Sequence, residues 1–186
     1  VIDSGTERET YQRHRNKEKR WAFSRIRAEG HNALVFNSGD GPDQNPKAVA
    51  PITLFESRPQ RSIAVVDLSQ AYAEHAKSVQ RTFEMHDRRF VTITDEIETR
   101  ASADLWWFMH TEAAVLSAEG KAATLGQNGK QLTVQILTPE GAVFRVMDAA
   151  PLPTSPAPSQ DDNTGRRKLA IRLNGVTHLK LSVKLM

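Results

Sequence analysis

Asp3 and His31 are the two residues whose types suit a shared metal ion, a carboxylate oxygen and an imidazole nitrogen, yet twenty-eight positions separate them. By spacing alone that is a weak pattern, and a lone histidine is more often an ordinary surface or core residue. Just before His31 the stretch KRWAFSRIRAEGHN, residues 19–32, crowds Trp21, Phe23, Arg25 and Arg27 together and ends on Asn32. Trp21 and Phe23 can stack on sugar rings or bases, or simply anchor the segment on a core. From Glu7 to Glu29 there are eight Arg or Lys against four Glu, so a basic arm at 7–29 carries a local excess of +4 while the remaining chain is near −1. Such a field concentrates nucleic acid, acidic lipid or acidic polysaccharide, unless the arm is only a solvated segment.

Other chemistries lack their signatures. The chain has no cysteine, which excludes disulfides, thiolate catalysis and thiolate-bound zinc and leaves the compartment open. No Gly-rich phosphate loop, Gly-x-Ser-x-Gly elbow or His-x-x-x-His helix occurs, and the six histidines are scattered.

The elements that must hold these residues read as strands. Short Val-, Ile- and Phe-rich runs recur at roughly ten-residue spacing, and in RFVTITDEI Phe90, Thr92 and Thr94 alternate with Val91, Ile93 and Asp95. About ten strands are expected. Asn128-Gly129 and Asn174-Gly175 read as hairpin turns, and DLSQAYAEHAKSVQRTF allows one short helix or turn. So many strands imply an all-β, two-layer antiparallel β-sandwich, one domain over 1–186, since a single sheet would leave an apolar face wet. Four prolines mark a mobile loop at 151–167. The longest apolar runs are too short to span a bilayer, so no membrane partner is expected. The opening Val1-Ile2-Asp3, without an initiator Met, suggests a piece of something longer.

RWAFSRIRAEGHNALVFN resembles the segment of heparinase II/III-like polysaccharide lyases in which Arg-Ala-Glu-Gly-His-Asn-Thr-Leu leads into a strand, with Ala33 where Thr is usual. VVDLSQAY, RFVTITDEI and LWWFMHT follow in similar order, and the Arg-x-Arg-Ala-Glu-Gly-His-Asn string points to the heparinase II branch. The resemblance implies a β-sandwich that follows an α-helical toroid domain in the same protein, the two enclosing a cleft for acidic polysaccharide. It implies β-elimination at a uronic acid, with the catalytic Tyr in the toroid, so no catalytic residue is assigned here and the chain alone is expected to be inactive. Asp3 and His31 would be ligands of a structural zinc whose third ligand, a histidine of a His-x-His-x-Asp strand, lies upstream. Arg25, Arg27, Asn32 and Trp21 would face the acidic sugar, and the protein would be periplasmic or secreted. Two alternatives stay open. One is a non-catalytic acidic-carbohydrate-binding or structural sandwich; the other, a nucleic-acid-binding β module, fits poorly with only 6% aromatic residues.

Overall fold

The computed structural model describes residues 1–5, 19–39, 41–157, 160 and 162–186. Residues 7–18 of the expected basic arm lie outside this set; 19–29 lie within it.

Ten strands form, and no α-helix occurs among the described residues. They are β1 (Leu34–Phe36), β2 (Ile52–Ser57), β3 (Arg61–Asp67), β4 (Ala76–His86), β5 (Phe90–Thr111), β6 (Ala114–Glu119), β7 (Ala122–Gln127), β8 (Lys130–Thr138), β9 (Arg145–Asp148) and β10 (Arg167–Leu185). Their hydrogen-bonded order is β2-β3-β4-β5-β10-β8-β7-β6, with β1 added beside β5 and β9 beside β10. The sheet is antiparallel and does not close on itself, as expected of an all-β sandwich. Two short 3-10 turns, Lys19–Ala22 and Ala28–Gly30, precede β1. The candidate helix in 67–83 is a run of turns leading directly into β4.

The chain divides into two compact units, to both of which the long strands β5 and β10 contribute. The first comprises Val1–Gln44, Asp104–Glu112 and Arg145–Arg172. Here β1 pairs with β5 through Leu34↔Trp107, Val35↔Trp106 and Phe36↔Leu105, and β9 pairs with β10. Leu105 to Thr111 are all buried, which explains why LWWFM reads as an unbroken apolar run: both faces of this strand are covered, so alternation is lost. Ala28, Val35, Trp106, Phe108, Leu152 and Ala170 form its core cluster.

The second unit comprises Asn45–Ala103, Ala113–Phe144 and Leu173–Met186. Alternation is clear in this part of β5. Asp95 shares a face with Ile97 and is fully buried because Arg81, on the paired position of β4, donates two hydrogen bonds to it at 2.6 and 2.9 Å. Burial pushes the Asp95 carboxyl up, and Arg81 offsets only part of that.

Two turn expectations part company. Asn128 and Gly129, at φ 52° and 72°, join β7 to β8 as a tight hairpin whose left-handed geometry suits this pair. At Asn174-Gly175 no hairpin forms. β10 runs straight through, with Gly175 at φ 67° inside the strand. An isolated left-handed glycine within a long strand marks a local irregularity, and here it lies between the part of β10 that pairs with β9 and the part that pairs with β8.

The Pro-rich 151–167 loop is tied down at many of its described residues. Gln160 Oε1 accepts from the Ser24 N–H at 3.0 Å, Asn163 Oδ1 accepts from Arg25, and Thr154 and Ser38 share a 2.6 Å hydroxyl contact. Composition signalled the absence of a strand here, and long-range side-chain bonds supply the order it could not show.

Candidate functional site

Every residue of Arg27-Ala28-Glu29-Gly30-His31-Asn32 has a structural reason for its type. Arg27 is fully buried, with Nη2 donating to Asp43 Oδ1 at 3.0 Å. Ala28 enters the core cluster. Glu29, 1% exposed, accepts from the Leu152 N–H at 3.3 Å and from the Ser155 hydroxyl at 2.7 Å. Gly30 passes so close to Ser24 that a Cβ would lie 2.2 Å from that residue's carbonyl oxygen, a distance no side chain tolerates. Asn32 bridges two segments, donating to the Ile2 carbonyl at 2.9 Å and accepting from the His110 N–H at 2.7 Å.

The fold brings Asp3 and His31 together: Oδ2 and Nδ1 are 2.7 Å apart. His31 Nε2 lies 3.1 Å from the Arg25 carbonyl, which can only accept, so Nε2 carries a proton. Nδ1 faces the Asp3 carboxylate at direct hydrogen-bond distance. Burial acts to raise the Asp3 carboxyl, but hydrogen bonds from His31 and the Gly5 N–H outweigh it and hold the group below its ordinary range. A carboxylate beside an imidazole whose far nitrogen is fixed by a backbone carbonyl is the donor chemistry of a zinc site, and on that ground the pair fits the metal. Among the described residues no group of three or more such donors gathers at metal-binding distance.

Behind the pair are residues not singled out from the sequence. His110, at the end of the LWWFM run, is 2% exposed, and its Nδ1 has no partner among the described residues. Burial first, then the Lys168 and His31 charges, push its pKa down to about 4, with Asp3 acting the other way. Lys168, 1% exposed, donates to the Ala150 carbonyl at 2.8 Å and lies 4.5 Å over the Phe108 ring. Arg166 donates from Nε to Glu112 at 3.0 Å and from Nη1 to the Ser4 carbonyl at 3.3 Å. No local spacing announces any of these, since their partners lie 18 or more positions away in the sequence.

The four candidate sugar-facing residues separate into two kinds. Arg27 does not reach solvent: its guanidinium is enclosed with Asp43 and Glu29, whose two carboxylates offset the buried charge, so the expectation that it faces a polyanion is corrected. Asn32 is engaged at both ends of its amide. Arg25 is half-buried and grips Asn163 Oδ1 from Nε and Nη2 at 3.1 and 2.9 Å. Trp21 is half-buried beneath the Arg20 guanidinium, 5.2 Å from its ring. Beyond Arg25 lies an open cavity of about 350 Å³ between the end of β9 and the turn that enters β10.

The antiparallel all-β fold has counterparts among solved structures. The chain is similar to the heparan sulfate lyase HepC from Pedobacter heparinus, at a TM-score of 0.67 and 12% identity, covering 99% of this chain and 27% of that one. It is also similar to a heparinase III gene product, at 0.65 and 13%, covering 98% and 26%, and to a crystal structure of heparinase III, at 0.62 and 14%, covering 84% and 23%. No family model matches the chain, and no curated protein matches it in sequence. The chain spans about a quarter of the length of these neighbours. At such identities the likeness establishes the fold. The named neighbours are heparinase III and heparan sulfate lyase chains, and they do not support the heparinase II branch.

Proposed function

We propose that this chain is the β-sandwich part of a polysaccharide lyase that cleaves uronic-acid-containing acidic polysaccharide by β-elimination and forms one wall of the substrate cleft. The observation that carries the reading is a fold shared over nearly the whole chain with heparan sulfate lyase and heparinase III structures. The Arg-x-Arg-Ala-Glu-Gly-His-Asn string is the only support for a heparinase II branch, and secretion or a periplasmic location follows from the family resemblance alone.

In this reading Arg25 and Trp21 touch the polymer, while Arg27 and Asn32 hold the segment that carries them. β-Elimination requires a uronate carboxylate to be neutralised so that the neighbouring proton becomes acidic, then a base for that proton and an acid for the leaving oxygen. Arg25 contributes positive charge to the first task. Base and acid would come from the toroid part of the longer protein. Asp3 and His31 would hold a zinc ion with an upstream histidine, and the ion would supply rigidity by pinning the first residues against the segment before β1.

Ultraviolet absorbance of the unsaturated uronate product is the direct test. The chain alone should give a flat trace with heparan sulfate, and the protein extended upstream through a toroid should give a rising one. Turnover by the chain alone would overturn the division of labour. A flat trace from the extended protein on every uronate polymer, with binding retained, would favour a non-catalytic carbohydrate-binding sandwich.

A further inference from the structure

The cavity of about 350 Å³ beside Arg25 is lined by hydrogen-bonding side chains of both charges: Asp148, Asp162, Asn163, Thr164, Arg166 and Arg167. Its floor is small, Ala149 and Ala150, and its size falls within the range of pockets that hold small ligands.

The walls are preformed. Arg25 clamps the turn from one side through Asn163 Oδ1 and, at 3.2 Å, the Asp162 carbonyl. Asn163 Nδ2 donates to the Ala149 carbonyl at 2.5 Å, and the Arg166 N–H donates to the Asn163 carbonyl at 2.8 Å. Arg166 is held in turn by Glu112 and the Ser4 carbonyl, next in sequence to Asp3. Rigid walls lower the ordering cost of binding.

Arg167 differs from its neighbours. Its partner is Asp148, and the two side chains are 52% and 72% exposed. A pair that exposed contributes little to stability, so an incoming anion can take the place of Asp148 at small cost. The planar guanidinium then offers two parallel N–H donors to a carboxylate or sulfate. Asp162, Thr164 and the displaced Asp148 remain to meet hydroxyls.

We propose that this cavity is a saccharide subsite, in which Arg167 takes the anionic substituent of one sugar unit and Asp148 acts as its built-in competitor. The proposal rests on the polysaccharide reading above and adds to it a place and a pair of residues.

The experiment is calorimetric titration of the chain with a heparan sulfate tetrasaccharide, its desulfated form and a neutral cello-oligosaccharide at low salt. Arg167→Ala should weaken tetrasaccharide binding about five- to tenfold, and the loss should shrink as salt rises. Asp148→Asn, which keeps a hydrogen-bonding side chain but removes the competing charge, should tighten binding several-fold. A gain of affinity cannot come from misfolding, so this variant guards against a trivial loss. If the desulfated form binds as tightly as the parent, the anion held is the uronate carboxylate; if it loses the Arg167 effect, the anion is sulfate. Either supports the subsite. Unchanged affinity in both variants, with wild-type binding intact, would place the sugar elsewhere and leave the polysaccharide reading standing. Failure of the wild-type chain to bind either acidic oligosaccharide, or equal binding of the neutral one, would overturn the subsite, while the polysaccharide reading itself stands or falls on the uronate absorbance of the extended protein.

Discussion

Lys168 shows how far a single buried residue depends on its surroundings. It sits at the start of β10, 1% exposed, and burial pulls its pKa from 10.5 down to about 8, with Glu29 working in the opposite direction. The lowered value means that the folded chain releases this proton more readily than the unfolded chain. Between pH about 8 and 10.5 the unfolded state therefore holds the extra proton, and stability contributed by this residue rises with pH across that window. Below pH about 8 both states are protonated and the contribution is flat. Urea denaturation at pH 7.5, 9 and 10.5 should show a rise on the order of 3 kcal/mol from this group, absent in Lys168→Met. An identical pH profile in the variant would show that the amine titrates normally. The carbonyl of Ala150 and the face of Phe108 stand where water would otherwise solvate the ammonium.

At the scale of elements, the 3-10 turn Ala28–Gly30 and the loop after β9 form one assembly although more than a hundred residues separate them. Glu29 is the link, holding the Leu152 N–H and the Ser155 hydroxyl with a single oxygen. Leu152 also enters the core cluster with Val35 and Trp106, so the bond fixes a packed residue as well as a loop. Glu29→Ala should release this anchor and leave the Leu152 N–H without its acceptor, a buried loss of about 1–3 kcal/mol. Native-state hydrogen exchange should speed up at Leu152 and Ser155, while amides in the β7–β8 hairpin keep their protection. Uniform acceleration across both regions would mean global destabilisation, and no acceleration at Leu152 would remove Glu29 as the anchor. The same assembly explains the dense charge before β1: Arg27, Asp43, Glu29 and Lys168 balance one another inside it.

At the scale of the whole molecule, the chain spans about a quarter of its structural neighbours, and the metal reading depends on what a longer protein adds. In the proposed reading Asp3 and His31, 2.7 Å apart, would supply two of the four ligands that a structural zinc takes. A protein extended upstream through the proposed His-x-His-x-Asp strand should carry zinc at close to one per chain by elemental analysis, and His31→Ala in it should lose the metal and lower Tm. His86→Ala should do neither. That ring stacks on Phe90 at 4.6 Å, in the other compact unit. Zinc that survives His31→Ala would return the pair to a simple hydrogen bond between the chain start and the segment before β1.

The sequence by itself determined the strand-rich class, the approximate number of strands, the Asn128-Gly129 hairpin and the apolar stripes. All of these follow from backbone propensity and period-two alternation, which act between near neighbours. It also marked the segment around His31 as unusual and, by resemblance, paired His31 with Asp3. Only the tertiary structure decided that Arg27 is enclosed by Asp43 while Arg25 reaches the 162–163 turn, because two arginines separated by one residue look alike until their distant partners arrive. Only it placed His110 and Lys168 behind the pair, and only it turned Asn174-Gly175 from a hairpin into an interior point of β10. Burial, charge compensation and strand continuity are set by partners from 14 to well over a hundred positions away, beyond the reach of period-two or helical spacing.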